Sequence, residues 1–366
     1  MKTYALPLLA ILLLPTPRLH AQGFSDTSNT AHVENTASGE SVLISITTGN
    51  FNAGLGNNAL EKDTQGSHNT AAGFFALNSN TTGNDNAALG YTALNFNTTG
   101  HDNVAAGAFA LEANTLGNSN AALGSYALTA NTTGVENTAS GMKALFTNKT
   151  GAQNTAAGFY ALYQSTGSHN TAVGTRALNY LSTGEDNIAL GYEAGYNVAT
   201  GGANIEIGAQ GDKDDAQTIR LGTQGAQKQA FIAGIFGVTA SGGVPVVITP
   251  TGQLGTVTSS ARFKRDIRAM GNVTATLMAL RPVTFEYRAD LDPANTPQFG
   301  LIAEEVAKVA PALVVRDAAQ QPYTVRYDAV NAMLLQQVQQ QQRTIADQQK
   351  ALEELSARVA ALETRK

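Results

Sequence analysis

The chain has 366 residues, a formal net charge of −5 and no cysteine. Its length exceeds that of most single domains, so we expect two or more structural units. The missing cysteines exclude disulfides and thiolate metal sites, and the mildly acidic balance gives no basic surface for nucleic acid.

The first 21 residues have the pattern of a secretory signal peptide. Lys2 precedes the apolar run Ala5–Leu14, and the small residue Ala21 offers a cleavage point. The run is too short to span a bilayer as a helix, and the two prolines after it argue against a buried N-terminal helix. We therefore predict a signal peptide at residues 1–21 and export of the protein. No later stretch has the roughly 18 apolar residues of a membrane anchor.

A repeat of the form N-x-A-x-G fills the next part of the chain, and its glycines allow the tight corners of a coil. The step between repeats is 17 residues, with one step of 16. The apolar pieces are too short and too rich in glycine for helices. We predict a parallel β-solenoid at residues 35–211, in which one asparagine per coil binds its neighbours. These asparagines are Asn35, Asn52, Asn69, Asn86, Asn103, Asn120, Asn137, Asn154, Asn170, Asn187 and Asn204.

Alanine at the inward positions makes each coil thin, so one solenoid buries little apolar surface. Several chains packed together would offset the entropy of folding better than one. The repeats resemble the head domain of YadA-like trimeric autotransporter adhesins. The resemblance covers residues 35–211 and implies a left-handed parallel β-roll built as a trimer, although the best-known heads of that family use shorter coils.

Beyond the repeats, short β-branched runs alternate with glycine-rich turns, which predicts a β-rich neck at residues 212–258. The composition changes again at Ser259: residues 259–366 hold 14 basic and 12 acidic residues. Short helices and strands are predicted here, followed by heptads at residues 331–366. We predict a trimeric coiled coil there, with a single solvated amphipathic helix as the alternative. One seam position holds Val338, Ile345, Leu352 and Val359, and the other holds Leu334, Gln341, Gln348, Leu355 and Leu362.

The segment "VTSSARFKRDIR" holds the candidate catalytic residues Ser259 and Lys264. A serine becomes nucleophilic when a neighbour removes its proton, and a neutral lysine can do so. Five residues place the two side chains about 140° apart on a helix, so Ser259 should lie on an extended or turn segment. Ser260 is the rival nucleophile, because its spacing to Lys264 fits one helix face. The non-catalytic alternative is a pair of serines that cap a basic helix.

The motifs "SSARFKRDI", "LRPVTFEY", "FGLIAEEV" and "VRY", followed by the heptads, resemble the intramolecular chaperone domain of phage endosialidases and tail fibres. This domain forms a serine peptidase family, number seventy-four. The resemblance implies a small α+β chaperone domain at residues 259–330 that guides trimeric folding and then cuts its own chain. It also implies that Ser259 is the nucleophile, Lys264 the base and Thr258–Ser259 the scissile bond. Ser260 stands where the family often has aspartate.

The sequence therefore predicts a mainly β, exported homotrimeric fibre that cuts itself without cofactor or metal. Further copies of the chain are the expected partners, and a cell-surface molecule or glycan is the candidate ligand of the head. The alternatives are an uncleaved adhesin whose C-terminal domain only clamps the trimer, and a glycan-acting enzyme. The repeats hold no paired acidic positions for the latter. His68, His101 and His169 have no metal-ligand spacing, and we expect them in solvated turns.

Aromatic residues follow the repeat glycines, and they favour packing between coils or chains over an adhesive stripe. They are Phe74, Phe75, Tyr91, Phe109, Tyr126, Phe159, Tyr160 and Tyr192.

Overall fold

The computed structural model describes residues 23–24, 34–235, 240–317 and 319–363. The predicted signal peptide lies outside these residues. The chain divides into two compact units, Met1–Ala230 and Phe231–Lys366. The finer domain boundaries given above stay predictions.

The first unit is a β-solenoid whose strands stack in chain order, which confirms the predicted fold class. Strand β1 pairs antiparallel with β2, and β2 to β13 are all parallel, each one coil above the last. The parallel sheet includes one strand, β13, beyond the last asparagine repeat. The strands are β1 Gly23–Phe24, β2 Thr36–Ser38, β3 Ala53–Leu55, β4 Thr70–Ala72, β5 Ala87–Leu89, β6 Val104–Ala106, β7 Ala121–Leu123, β8 Thr138–Ser140, β9 Thr155–Ala157, β10 Thr171–Val173, β11 Ile188–Leu190, β12 Ile205–Ile207 and β13 Ile219–Leu221.

The core of the solenoid is a thin layer of alanine and leucine. The middle residue of most strands is a buried alanine, and an Ala-Leu pair such as Ala110-Leu111 fills the opposite side. The eight leucines of these pairs, from Leu60 to Leu178, and Leu43 after Val42 have φ angles between 50° and 52°. This left-handed conformation is unfavourable for leucine, so burial of the side chain must offset its cost in every coil.

The predicted asparagine ladder is confirmed. The backbone N–H of Asn120 donates to Asn103 Oδ1 at 3.0 Å, and Asn120 Nδ2 donates to the carbonyl of Gly134 at 2.9 Å. The backbone contact to the preceding asparagine recurs from Asn52 to Asn204. These side chains therefore satisfy buried backbone groups at one corner of every coil.

A second asparagine ladder, which the sequence analysis did not identify, lies at the next corner. Asn97 Nδ2 donates to Asn80 Oδ1 and to the carbonyl of Gly100, both at 2.9 Å. Four members of the ladder also begin N-x-T glycosylation sequons, but their side chains are fully buried in the folded head. The ladder consists of Asn80, Asn97, Asn114, Asn131 and Asn148.

Asp63 occupies the coil before this second ladder, in the position that asparagine holds later. Its Oδ1 accepts the N–H of Gly66 at 2.9 Å, whereas its Oδ2 has no hydrogen-bond partner. Burial raises the pKa of the Asp63 carboxyl to about 7. A carboxylate here is therefore less well accommodated than the amide that replaces it in the following coils.

The last coils replace the inward alanine by charged residues. Glu206 is fully buried, and its pKa is raised to about 7, first by burial and then by the nearby charge of Asp215. Arg220 binds Asp215 at 2.7 Å and lies 4.0 Å from Glu206. The end of the solenoid is thus closed by an ionic cluster instead of a further apolar layer.

The second unit mixes short strands and helices around a small core of Val306, Leu313, Val325 and Val330. The strands form three antiparallel pairs. One of the predicted short helices, α2, ends at Val309, just before Pro311. Helix α3 has 37 residues and includes every predicted seam residue from Leu334 to Leu362. Among the described residues, none of the helices combines the length and apolarity needed to cross a membrane. The elements are β14 Val246–Ile248, β15 Leu254–Thr256, α1 Thr274–Ala279, β16 Val283–Phe285, β17 Gln298–Gly300, α2 Ala303–Val309, β18 Val314–Arg316, β19 Pro322–Val325 and α3 Tyr327–Glu363.

Candidate active site

The predicted nucleophile lies on a short segment between strand β15 and a single 3₁₀ turn, Ala261–Phe263. Ser260 is extended, with φ −62° and ψ 140°, and its side chain makes no capping hydrogen bond. Lys264 follows the turn in an extended conformation and donates its backbone N–H to the carbonyl of Ala261 at 3.0 Å. The basic run is therefore not a capped helix, since its only helical part is three residues long.

The 3₁₀ turn folds the chain back so that Lys264 reaches Ser259. Lys264 Nζ lies 3.4 Å from Ser259 Oγ. This is the long end of hydrogen-bond range, and catalytic contacts are often loose before the reacting state forms. The helical spacing that favoured Ser260 as the partner of Lys264 does not apply, because no helix spans these residues. The catalytic roles of Ser259 and Lys264 stay predictions.

The surroundings of the pair are open to solvent in the single chain. Ser259, Lys264 and Thr258 are all exposed. The guanidinium of Arg262 stacks on the ring of Phe263, 4.6 Å from its centroid, and the ring is itself exposed. A neutral lysine amine is favoured by burial and by nearby positive charge. In the single chain, Lys264 is exposed and this burial is missing.

The three sequence motifs that follow the serine contact one another. Arg281 of "LRPVTFEY" forms a two-pronged ion pair with Glu305 of "FGLIAEEV", with Nε 3.0 Å from Oε2. Leu301 donates its N–H to the hydroxyl of Tyr327, at the start of α3, at 3.0 Å. A side chain at Gly300 would meet that hydroxyl at 2.8 Å. The motifs thus connect the small domain to the beginning of the long helix.

The histidines of the head lie on its exposed turns, as expected. His101 pairs with Asp102 at 2.8 Å, and His68 and His169 each pair with an aspartate one coil on at 3.5 Å. Within the described ranges, no three His, Cys, Asp or Glu side chains form a group that could hold a metal ion.

The aromatic residues of the head stack from one coil to the next. Phe74 and Tyr91 are parallel with centroids 5.6 Å apart, and Phe109 and Tyr126 are parallel at 4.7 Å. Lys143 adds a cation, with Nζ 3.0 Å from the hydroxyl of Tyr160. Ring contact between coils therefore accounts for Phe74, Tyr91, Phe109 and Tyr126, whereas Tyr192 is 69% exposed.

The likeness to known proteins lies at the C-terminal side of the solenoid. A search of curated proteins and a search of solved structures each returned no match. A family model described as "Chaperone of endosialidase", a serine peptidase family, matches residues 259–315 and begins at the predicted nucleophile. This chain therefore combines a parallel β-solenoid with a segment similar to the endosialidase chaperone family.

Proposed function

We propose that three copies of this chain fold together as an exported fibre protein, and that its C-terminal domain then cuts each chain between Thr258 and Ser259. The 3.4 Å contact between Lys264 Nζ and Ser259 Oγ carries the proposal. The family match at residues 259–315 supports the same kind of activity. Export rests on the signal-peptide pattern of residues 1–21.

The cut is an intramolecular acyl transfer followed by hydrolysis. The neutral amine of Lys264 takes the proton of Ser259 Oγ, and the oxygen attacks the carbonyl carbon of Thr258 through a five-membered ring. The peptide C–N bond breaks as Lys264 returns the proton to the nitrogen. This leaves an ester at Ser259 Oγ and a free amino group on the same residue. Water then opens the ester, giving a carboxylate at Thr258 and an intact Ser259.

Assembly of several copies is supported by the apolar surface that one chain leaves uncovered. In α3, Val338 is 59% exposed and Ile345 is 46% exposed, although both occupy the heptad seam. A seam of this kind is stable only against other helices. The segment before the cut also leaves large apolar side chains exposed, which other copies could cover. They are Val244, Val246, Ile248, Leu254 and Val257.

Assembly would also time the reaction. Lys264 is exposed in one chain, and packing of copies around residues 257–267 would bury it beside Arg262 and Arg265. Burial and like charge both favour the neutral amine that catalysis needs. Cleavage would therefore follow trimer formation, and loss of the chaperone domain would leave the head kinetically trapped.

The test is intact mass spectrometry of residues 22–366 after purification, beside Ser259→Ala, Lys264→Ala and the matched control Ser260→Ala. We expect wild type and Ser260→Ala to split into fragments 22–258 and 259–366, and the other two variants to stay whole. If only Ser260→Ala blocked the cut, the nucleophile would be Ser260. An uncut wild-type trimer would instead identify the domain as a non-catalytic clamp on a retained adhesin.

A further inference from the structure

The outer surface of the parallel sheet carries a regular pattern of side-chain size. In β3 to β9, the first and third residues of each strand point outward, and the middle one is buried in the coil. Strand β2 is in register with β3, and its middle residue Ala37 packs against the same core. We call these outward residues of β2 to β13 the sheet face. In β2 to β9, the third position is leucine only where the first is alanine, as in Ala87 and Leu89 of β5. In the same eight strands, where the first position is threonine or valine, as in Thr70 of β4, the third is alanine or serine.

The pattern holds without exception over eight successive strands. Leucine occupies the third position in β3, β5 and β7, and a small residue occupies it in β2, β4, β6, β8 and β9. The leucines are not held by their own chain: Leu55 is 58% exposed, Leu89 61% and Leu123 46%. From β10 onward both positions are β-branched or large, as in Ile188 and Leu190, so the pattern is confined to the first part of the head.

The sheet face has the size and chemistry of an interface. None of the outward residues of β2 to β13 is charged. Strands about 4.8 Å apart and about 10 Å of exposed strand length give the face an area of roughly 600 Å². This is the upper limit of apolar patches on soluble monomers and the lower limit of what each partner buries in a specific complex. A second copy of this chain is the occupant that fits, because the trimer proposed above needs one.

A cyclic trimer with its sheets turned inward brings opposite edges of the sheet face together. Each copy then presents its first strand position to the third position of the next copy, as in any ring of identical subunits. If the copies are level, Leu89 of one copy meets Ala87 of its neighbour, and Ala72 meets Thr70. If one copy slips by a single coil, Leu89 meets Thr70 or Val104, which overpacks one layer and leaves a void in the next.

We propose that this reciprocal size pattern sets the register of the copies, so that equal coils of neighbouring chains pack at the same level. The inference rests on the trimer of the proposed function and adds its geometry. The asparagine ladders fix register within a chain, and the sheet face fixes it between chains.

Cysteine pairing tests the register directly, because the chain has no cysteine of its own. Two full-length chains with different mass tags are co-expressed, one with Ala87→Cys and the other with Leu89→Cys. The matched control replaces the first by Thr70→Cys, one coil away. After mild oxidation we expect the mixed-tag dimer at least fivefold more often for the level pair than for the slipped pair. Equal or greater cross-linking of the slipped pair in a proven trimer would overturn the inference.

Exchange of the two sizes gives a second, independent test. Ala87→Leu should lower the midpoint of thermal unfolding of the trimer by roughly 5 °C, because two leucines then meet in one layer. Leu89→Ala should lower it through a void. The double variant Ala87→Leu/Leu89→Ala restores one large and one small residue and should recover most of both losses. If the unfolding midpoint of the double variant fell by the sum of the two single-variant losses, the proposed register would be contradicted. A monomer in native mass spectrometry would instead overturn the trimer itself.

Discussion

The two units of this chain differ in how much of their apolar and polar side-chain surface is buried within the single chain. In the solenoid, buried asparagines bind the backbone of the adjacent coil, and the core alanines and leucines are closed within one chain. In the second unit, the buried core is small, and the heptad residues of α3 are largely exposed. The head therefore carries its own register along the chain. In the proposed trimer, the second unit would gain its specificity from contacts between chains.

The largest effect should come from the seam of α3, where the helices of the proposed trimer would meet. Val338→Asp with Ile345→Asp places six buried carboxylates in a three-stranded seam, and we expect complete loss of the trimer. Size-exclusion chromatography with light scattering measures this.

The matched control adds the same charge outside the seam, as Gln339→Asp with Ala346→Asp. It should leave the trimer intact. A trimer that survives the seam change would show that the head or neck holds the copies together without α3.

The next effect concerns the head alone. Asn120→Ala removes the acceptor of the Asn137 N–H and the donor to the Gly134 carbonyl. Buried groups without partners cost about 1–3 kcal/mol each, so we expect a loss of about 3 kcal/mol in urea-induced unfolding. The exposed Asn57→Ala is the control and should change the stability by less than about 0.5 kcal/mol. Equal effects of the two variants would mean that the ladder adds little stability.

A smaller and pH-dependent effect is expected at Asp63. Its pKa is about 7 in the folded head, above its ordinary value of 3.8. The folded head therefore binds the proton of Asp63 more tightly than the unfolded chain does. The stability associated with protonated Asp63 is fully present below about pH 4 and is lost as the pH rises through 7. Asp63→Asn supplies the amide of the later coils, so the variant should be more stable than wild type at pH 8, on the order of 2 kcal/mol. The advantage should vanish towards pH 4.

Thermal unfolding across pH 4 to 8 measures the difference between the two proteins. Glu206 titrates in the same direction in both, so the difference isolates Asp63. The exposed Asp214→Asn is the control. If the unfolding midpoints of wild type and Asp63→Asn differed by the same amount at every pH from 4 to 8, the raised pKa of Asp63 would be contradicted.

The smallest effect tests the backbone of a single turn. Ser119 is exposed and has a φ of 57°, a conformation that glycine adopts without strain. Ser119→Gly should stabilise the head by about 0.5 kcal/mol after the entropy of the unfolded chain is counted. Ser79 does not have a positive φ, so Ser79→Gly should destabilise it. Chemical denaturation of both variants decides the point.

The sequence predicted the solenoid because its dominant contacts repeat at one spacing. Asn35 to Asn204 recur with the glycines, and that period alone indicates stacked coils. The second ladder has the same period from Asn80 to Asn148. This column is harder to recognise in the sequence, because Asp63 and Ser165 interrupt it at its ends and its "NTT" triplets match a glycosylation signal.

The candidate site was predictable in its residues but not in its geometry. A spacing of five between Ser259 and Lys264 fits no helix face, and the sequence could not show that a 3₁₀ turn of three residues would bring them together. The contacts of Tyr327 and Arg281 with the other motifs depend on tertiary packing, which local patterns do not encode. In the proposed trimer, the burial of Lys264 would depend on the other chains.

The left-handed leucines of the head have a consequence for how folding starts. Each coil with such a leucine holds it and two further turn residues at positive φ, as Leu111, Phe109 and Ser119 show in one coil. A first coil would have to adopt these strained conformations before a neighbouring coil could offset their cost by packing against it. Each such residue costs about 1 kcal/mol or more. The free-energy barrier to forming the first coils is therefore high, whereas every later coil packs against a coil that is already folded. A chain with this kind of barrier would gain most from a chaperone domain that brings the copies of the proposed trimer together and is no longer needed once the coils have stacked.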